Sequence, residues 1–133
     1  MALPRLKRRR EFLRVAKAGK RAARPGLVLQ AMPVTEAAGE EARQSTPLRV
    51  GFTATKKIGN AVIRNRTKRR LREAARAVLG AEPPPGWDLV LIGREATATR
   101  PWKVLLGDVA GALRQAGVLS EKTPAAPKPA PAP

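Results

Sequence analysis

The segment at residues 56–76, KKIGNAVIRNRTKRRLREAAR, is the feature that most constrains the fold of this chain. Read at 100° per residue from Val62, it has the two-sided pattern of a surface helix. The apolar side carries Ile63, Thr67, Leu71, Ala74 and Val78. The other side carries Asn65, Arg69, Arg72 and Arg76, with Arg66 and Lys68 at its margins. The pattern predicts a helix that packs through its apolar side and presents a row of cations.

A solvated charged face is the simplest alternative for such a row. Helices built for solvation mix acids with bases, because like charges three or four residues apart repel. Here Glu73 is the single acid of the segment. Arginine also outnumbers lysine, and its planar fork suits bidentate contacts to phosphate. The segment therefore predicts an anion-binding surface, beside which Arg70 extends its charged end from the apolar side.

Composition narrows the function further. The 133 residues carry a net charge of +17, which favours nucleic acid or an anionic membrane as partner. Cysteine and histidine are absent, which excludes disulfides, Cys or His metal ligands and His acid–base chemistry. The ten acids show no pairing typical of a two-metal nuclease. The sequence contains no run of 18 apolar residues, which is the length needed to span a membrane. We therefore expect a soluble, cytoplasmic protein.

The length predicts one domain, at residues 1–119, followed by a disordered Pro/Ala-rich tail at 120–133. Residues 9–18 read as a short helix whose apolar side includes Phe12. Gly19 follows it and suits the left-handed conformation that commonly ends a helix.

Three apolar segments predict strands, at residues 27–32, 48–55 and 87–92. The last of these is apolar enough to be central in a sheet. Residues 33–47 predict a loop, and residues 81–86 predict a stiff proline-rich linker.

Glycine and proline mark the ends of the two later helices. Gly59 and Asn60 both tolerate positive φ and predict a sharp turn before the basic helix, which Gly80 ends. Pro101 predicts the first turn of a last helix. Trp102 lies on the apolar stripe of that helix, so we expect it in the core.

The basic segment also carries a resemblance to a known family. Residues 56–66, followed by Lys68-Arg69 and Leu71-Arg72, resemble the signature of the bacterial ribonuclease P protein subunit, with Arg-Asn-Arg at 64–66 as its core. The likeness extends from about residue 6 to 119. It implies an α+β fold, a two-layer sandwich with one mixed sheet and the order α-β-β-(short β)-α-β-α. The short strand is expected near the start of the central helix. The family also implies a left-handed βαβ crossover, where the general rule predicts the right-handed form.

The resemblance implies a function as well. In ribonuclease P the RNA subunit is the catalyst and uses Mg²⁺. The protein binds this RNA and the 5′ leader of precursor tRNA, and assists endonucleolytic removal of the leader. We therefore expect no catalytic residue, no metal site and no activity in the protein alone, and neither DNA nor membrane as partner.

The family pattern transfers to specific positions of this chain. Contacts to the catalytic RNA are expected from Lys56, Lys57, Asn60, Arg64, Asn65, Arg66, Lys68, Arg69 and Arg72. Contacts to the 5′ leader are expected from Phe12, Val15, Arg49, Thr53 and Thr55. Ala16 stands where many relatives carry a second aromatic residue. From spacing alone, Phe12 is more typical of core packing, and the polar side of residues 48–55 is compatible with an ordinary solvated face.

Composition leaves other functions open. A structural RNA-binding protein of ribosomal type fits the same charge, and the 56–72 signature favours ribonuclease P over it. A protein-only nuclease lacks the residues for its chemistry. A membrane-surface protein would need a basic helix with large apolar anchors, which the chain does not show.

Overall fold

Four strands form one mixed sheet in the structure, a computed structural model that describes residues 3–34, 46–80 and 83–119. Most of the predicted loop at 33–47, part of the linker at 81–86 and the tail at 120–133 lie outside the described residues. The strands are β1 (Lys20–Arg24), β2 (Leu27–Pro33), β3 (Arg49–Thr53) and β4 (Trp87–Gly93).

The sheet has the order β1-β2-β4-β3, which makes β4 a central strand as predicted. β1 and β2 form an antiparallel hairpin, and β2 also pairs antiparallel with β4. β3 pairs with β4 in parallel, with Val50 opposite Leu89 and Phe52 opposite Leu91. The sheet is therefore mixed, and the predicted α+β class is confirmed.

Three helices cover this sheet: α1 (Arg9–Ala18), α2 (Ala61–Leu79) and α3 (Trp102–Gln115). α2 and α3 pack together on one face, where Leu29, Leu89 and Leu91 join the main core. α1 lies on the opposite face, because its Val15 packs with Val90, which points away from Leu89 and Leu91. The two helical surfaces are thus separated by the sheet.

The fourth strand of the sheet is not where the short strand was predicted. It is β1, which forms a hairpin with β2, and not a short strand before the central helix. The residues before that helix form a single 3₁₀ turn, Lys56–Ile58. β1 has the sequence KRAAR, and only Ala22 in it is buried, so it lacks the apolar alternation by which strands are recognised.

Gly19 ends α1 for a different reason from the predicted one. Its backbone is extended, with φ −84° and ψ 164°, rather than left-handed. A Cβ atom at this position would lie 2.6 Å from the carbonyl oxygen of Val15 and 2.8 Å from that of Ala31. Glycine therefore allows the chain to pass directly from α1 into β1, which pairs with β2.

α2 connects the parallel neighbours β3 and β4 and so forms the predicted βαβ crossover. The left hand of this crossover stays a prediction. Gly80 ends the helix with φ +75°, as expected for a C-terminal glycine.

Candidate nucleic-acid interface

The turn before α2 sets the direction of the helix. Gly59 has φ +146°, and a Cβ atom there would lie 2.9 Å from Cβ of Ile63, so glycine is required. Asn60 has φ −78°, so the positive φ of the predicted turn occurs at Gly59 and not at Asn60. Its Oδ1 instead accepts a hydrogen bond of 3.0 Å from the backbone N–H of Ile63 and caps the helix. Oδ1 of Asn60 is thus engaged in the helix cap, and its amide N–H groups point to solvent-accessible space on this exposed residue.

The apolar side of α2 is docked tightly on the sheet. Thr67, Leu71, Ala74 and Val78 are buried, which confirms the predicted stripe. The hydroxyl of Thr67 donates to the carbonyl oxygen of Ile63 over 2.8 Å. A Cβ atom at Gly93 would lie 2.3 Å from Cγ2 of Thr67, so glycine at the end of β4 lets the helix approach.

Arg70 fastens α2 to the segment that precedes α3. Its guanidinium donates to the backbone carbonyls of Thr97 over 2.6 Å and of Arg100 over 2.5 Å. The same group stands 5.7 Å from the ring centre of Trp102. Burial lowers the pKa of Arg70, and the neighbouring charge of Arg66 adds to this effect. Arg70 is therefore a docking residue, which keeps its charge away from the basic row.

Trp102 corrects an expectation. Its side chain is 39% exposed rather than part of the core, because it lies at the first position of α3 and covers Arg70. Leu105, Val109 and Leu113 of the same stripe are buried, and Leu106 is half-buried.

The basic row of α2 is free of compensating acids. Asn65, Arg66, Arg69 and Arg76 are exposed, and Arg64, Lys68 and Arg72 are half-buried. Within residues 3–34, 46–80 and 83–119, none of these cations forms a salt bridge. Lys56 and Lys57 extend the row on the exposed 3₁₀ turn. The row therefore presents unpaired donors to an anionic partner.

Arg64 differs from its neighbours in the row because part of its guanidinium is buried. Its Nε atom is buried and has no hydrogen-bond partner among the described residues. A buried donor left unpaired costs on the order of 1–3 kcal/mol. One edge of the guanidinium is thus held against the protein while the side chain remains half exposed.

The opposite face of the sheet carries an open groove of about 560 Å³ beside α1. Of the five residues predicted to contact the leader, Arg49 alone is among those that line it. The lining residues are Arg14, Ala18, Met32, Pro33, Val34, Thr46 and Arg49.

Phe12 is half-buried and stands over β3 on the same face of the sheet. A Cβ atom at Gly51 would lie 2.3 Å from Cε2 of the Phe12 ring. Thr53 is half-buried on β3, and Thr55 is exposed just before the 3₁₀ turn. One part of the Phe12 ring therefore packs on β3, and the other part is accessible to solvent.

Val15 is fully buried at 0% exposure, where it packs with Leu6 and Val90. Its side chain therefore cannot touch a strand laid over this face, and the expected leader contact is corrected to a packing role.

Arg49 is not a free cation, because two carboxylates accept hydrogen bonds from all three of its guanidinium nitrogens. Nε and Nη2 donate to Asp88 over 3.0 and 2.8 Å, and Nη1 donates to Glu11 over 2.9 Å. Asp88 is 0% exposed and also accepts from Arg14 over 3.3 Å. The hydrogen bond to Asp88 raises the pKa of Arg49. Arg49 thus has internal partners, and its expected contact with the leader stays a prediction.

Glu11 ties this network to the start of α1. Its Oε1 accepts hydrogen bonds from the backbone N–H groups of Lys7 and Arg8, at 2.8 and 2.9 Å. These bonds, together with Arg49, lower the pKa of Glu11 to about 2. The acids show no pairing along the sequence, so this network was not predicted. The available signal was Asp88, a charged residue within the most apolar strand, since a buried charge needs a partner.

Two classes of site have no support in the described part of the chain. Residues 3–34, 46–80 and 83–119 contain no group of three His, Cys, Asp or Glu side chains that could hold a metal ion. No helix among them is long and apolar enough to cross a membrane.

Comparison with known proteins agrees with this arrangement. The family model described as Ribonuclease P matches residues 2–117. The chain is 55% identical over 114 residues to the ribonuclease P protein component of Gluconacetobacter diazotrophicus, covering 86% of this chain and 91% of that protein. It is 50% identical over 127 residues to the same component of Paramagnetospirillum magneticum, covering 96% and 92%.

Solved structures show the same fold. The ribonuclease P protein from Thermotoga maritima matches with a TM-score of 0.66 at 27% identity, over 84% of this chain and 96% of that one. A Staphylococcus aureus RNase P protein mutant with defective mRNA degradation activity matches with a TM-score of 0.70 at 26% identity, over 86% and 89%.

These matches favour ribonuclease P over the ribosomal-type alternative. The chain belongs to the ribonuclease P protein family and is a subunit of the ribonucleoprotein enzyme that matures the 5′ end of tRNA.

Proposed function

We propose that the basic row of α2 holds the ribonuclease P RNA while the α1 face of the sheet receives the 5′ leader of precursor tRNA. The observation that carries this proposal is the row of unpaired cations on a helix whose other side is locked to the sheet. A rigid row of guanidinium groups gains phosphate contacts without the entropic cost of ordering the helix. The sheet lies between the two surfaces, so the ribonuclease P RNA and the leader would bind on opposite sides of it.

Contacts to the RNA subunit are assigned to the exposed and half-exposed polar residues of the turn and helix. They are Lys56, Lys57, Asn60, Arg64, Asn65, Arg66, Lys68, Arg69 and Arg72. Arg64 is half-exposed in the first turn of the helix, so the outer N–H groups of its guanidinium can reach a phosphate while Nε faces the protein. Asn60 has the weakest individual support, because its oxygen is used by the helix cap.

Leader contacts are assigned to Phe12, Arg49, Thr53 and Thr55. Stacking on an aromatic ring and contacts to phosphate carry little base information. We therefore expect the α1 face to accept leaders of many sequences.

Magnesium is assigned to the RNA subunit. Glu11 and Asp88 are the carboxylates brought together on the α1 face, and Arg49 occupies both, so this pair does not fit a metal site. The protein adds positive charge between two RNAs, which should lower the magnesium concentration needed for cleavage. We place the reaction in the cytoplasm and expect no cleavage by the protein alone.

Single-turnover cleavage of a precursor tRNA at low magnesium tests the main proposal. The reaction contains a bacterial ribonuclease P RNA with and without the protein, and a third sample contains the protein alone. We expect strong stimulation of the RNA and no product from the protein alone. Tight, salt-dependent RNA binding without stimulation would refute the proposed role in cleavage.

The assignment of α2 is tested with Arg66→Ala. Losing one phosphate contact should reduce the slope of log affinity against log salt by about one unit. Lys103→Ala is the matched control, because Lys103 is an exposed cation of α3 outside the row. Equal slopes for both variants would remove Arg66 from the interface.

The assignment of the α1 face is tested with Phe12→Ala. Precursor tRNA binding by the assembled enzyme should weaken more than mature tRNA binding, because only the precursor has a leader. Equal losses for the two substrates would restrict Phe12 to packing over Gly51.

A further inference from the structure

A small cavity of about 60 Å³ lies beside α2, at the edge of the sheet. It is lined by Leu3, Arg5, Phe52, Arg72 and Arg76. Three of these five residues are arginines and none is acidic. Arg5 lies outside both surfaces described above, and Arg76 is the member of the basic row that has no RNA contact assigned to it so far.

The N-terminal segment at residues 3–6 is held in place beside β3. The backbone N–H of Val50 donates to the carbonyl of Pro4 over 2.9 Å, and the N–H of Leu6 donates to the carbonyl of Val50 over 3.0 Å. Arg5 thus forms a parallel bridge with Val50. The segment acts as a short additional edge strand.

This pairing determines where Arg5 points. Leu6 is 5% exposed and packs with Val15 and Val90 on the α1 face. Because neighbouring residues of an extended segment point to opposite faces, Arg5 lies on the α2 side. There its guanidinium stands 5.7 Å from the ring centre of Phe52, within the range of a cation–π contact.

The three arginines bring like charges together without an internal counter-charge. Arg72 and Arg76 are one helical turn apart, a spacing at which like charges repel. Within the described residues, neither they nor Arg5 form a salt bridge, and Glu73 on the same helix does not line the cavity. An anion between them would relieve this repulsion and accept their hydrogen bonds.

The size of the cavity restricts the ligand. Sites for whole small molecules usually measure about 300–1,000 Å³, several times more than this one. The space suits one compact anionic group on a larger molecule. Since Arg72 continues the basic row of α2, a phosphate of a polynucleotide backbone is the ligand that matches both size and position.

We infer that Arg5, Arg72 and Arg76 bind one backbone phosphate of the RNA subunit, so that residues 3–6 belong to the RNA-binding surface. The inference rests on the proposed role of α2 and extends it beyond the family signature. It adds a contact from Arg5, 67 residues before Arg72 in sequence, which the pairing at the sheet edge brings to the helix.

The test compares RNA-subunit binding of Arg5→Gln and Arg76→Gln between 50 and 200 mM salt. Each variant should bind more weakly than the unmodified chain, with a log–log slope smaller by about 0.9. Its relative loss of affinity should then shrink about 3.5-fold over this salt range. Arg5→Lys should keep most of the slope, because it retains the charge. Lys103→Gln should show no change in slope.

Arg66→Ala separates the outcomes. Normal slopes for Arg5→Gln and Arg76→Gln, together with a reduced slope for Arg66→Ala, would overturn this inference and leave the role of α2 intact. Normal slopes for all three would overturn the role of α2 itself. Thermal unfolding of each variant identifies a folding defect, and Arg76→Gln keeps the test decisive if Arg5→Gln is unstable.

Discussion

Asp88→Asn should destabilise the protein more than any other single change of charge on the α1 face. The substitution keeps the shape of the side chain and removes the one charge that is 0% exposed and touches two arginines. Arg49 would keep Glu11 as its partner, and the new amide group would point N–H donors at a guanidinium that can only donate.

The magnitude follows from burial. Removing one partner of a fully buried ion pair costs about 3–5 kcal/mol. The side chain of Arg49 is 30% exposed, so water recovers part of the loss, and we expect about 2–3 kcal/mol. For a domain of this size the midpoint of thermal unfolding should fall by about 8–12 °C.

The assay is urea unfolding at pH 7, followed by the fluorescence of Trp87 and Trp102. Glu73→Gln is the matched control, because Glu73 is exposed, forms no salt bridge with a described residue and should change stability by less than about 0.5 kcal/mol. Asp88→Asn combined with Arg49→Met should cost less than the sum of the single changes, since both break the same contact. A loss below about 1 kcal/mol for Asp88→Asn, or additive losses, would refute the network as a source of stability.

Three further predictions concern single contacts. Gly51→Ala should cost about 1–3 kcal/mol in urea unfolding, because the new methyl group displaces the aromatic ring above it. Gly107→Ala, with nothing within 4 Å, should be neutral or stabilising. Arg70→Gln should lower thermal stability and leave the salt slope of RNA binding unchanged, whereas Arg69→Gln should do the reverse; a reduced slope for Arg70→Gln would contradict its docking role. Glu11 has a folded pKa of about 2 against an ordinary 4.5, so its stabilisation is present above pH 4.5 and is lost as the pH falls through 2. The stability difference between the unmodified chain and Glu11→Gln should shrink over that window, and a constant difference would contradict the pKa.

The elements predicted well are those decided by local periodicity. The stripe of α2 and the apolar run of β4 occur in the structure as the sequence indicates. In α2 the buried residues recur every three or four positions, and in β4 they are consecutive. β1 was missed because its pairing comes from β2, with Ala22 opposite Leu29, and not from its own pattern. Tertiary pairing overrode local preference there.

The part of the candidate site that depends only on charge, the basic row of α2, could be predicted from the sequence. The unpaired row on α2 follows from spacing, because Glu73 is the single acid of the helix and can offset only part of its charge. The role of Arg49 was not predictable, since its main partner Asp88 lies 39 residues further along the chain. Val15 and Trp102 failed for the same reason: spacing assigns a residue to a face of its helix, whereas the neighbouring elements decide whether that face is covered.

The position of β4 between β2 and β3 has a consequence for biosynthesis. β3 has no full strand as neighbour other than β4, and β2 shares only one of its edges with β1. β4 begins 34 residues after β3 ends. At about 5–20 residues per second, the ribosome exposes β3 for roughly 2–7 s before its partner is made. During that interval the nascent chain has open strand edges and a strongly cationic segment, so it should depend on chaperones or on nearby RNA to avoid aggregation until translation passes Gly93.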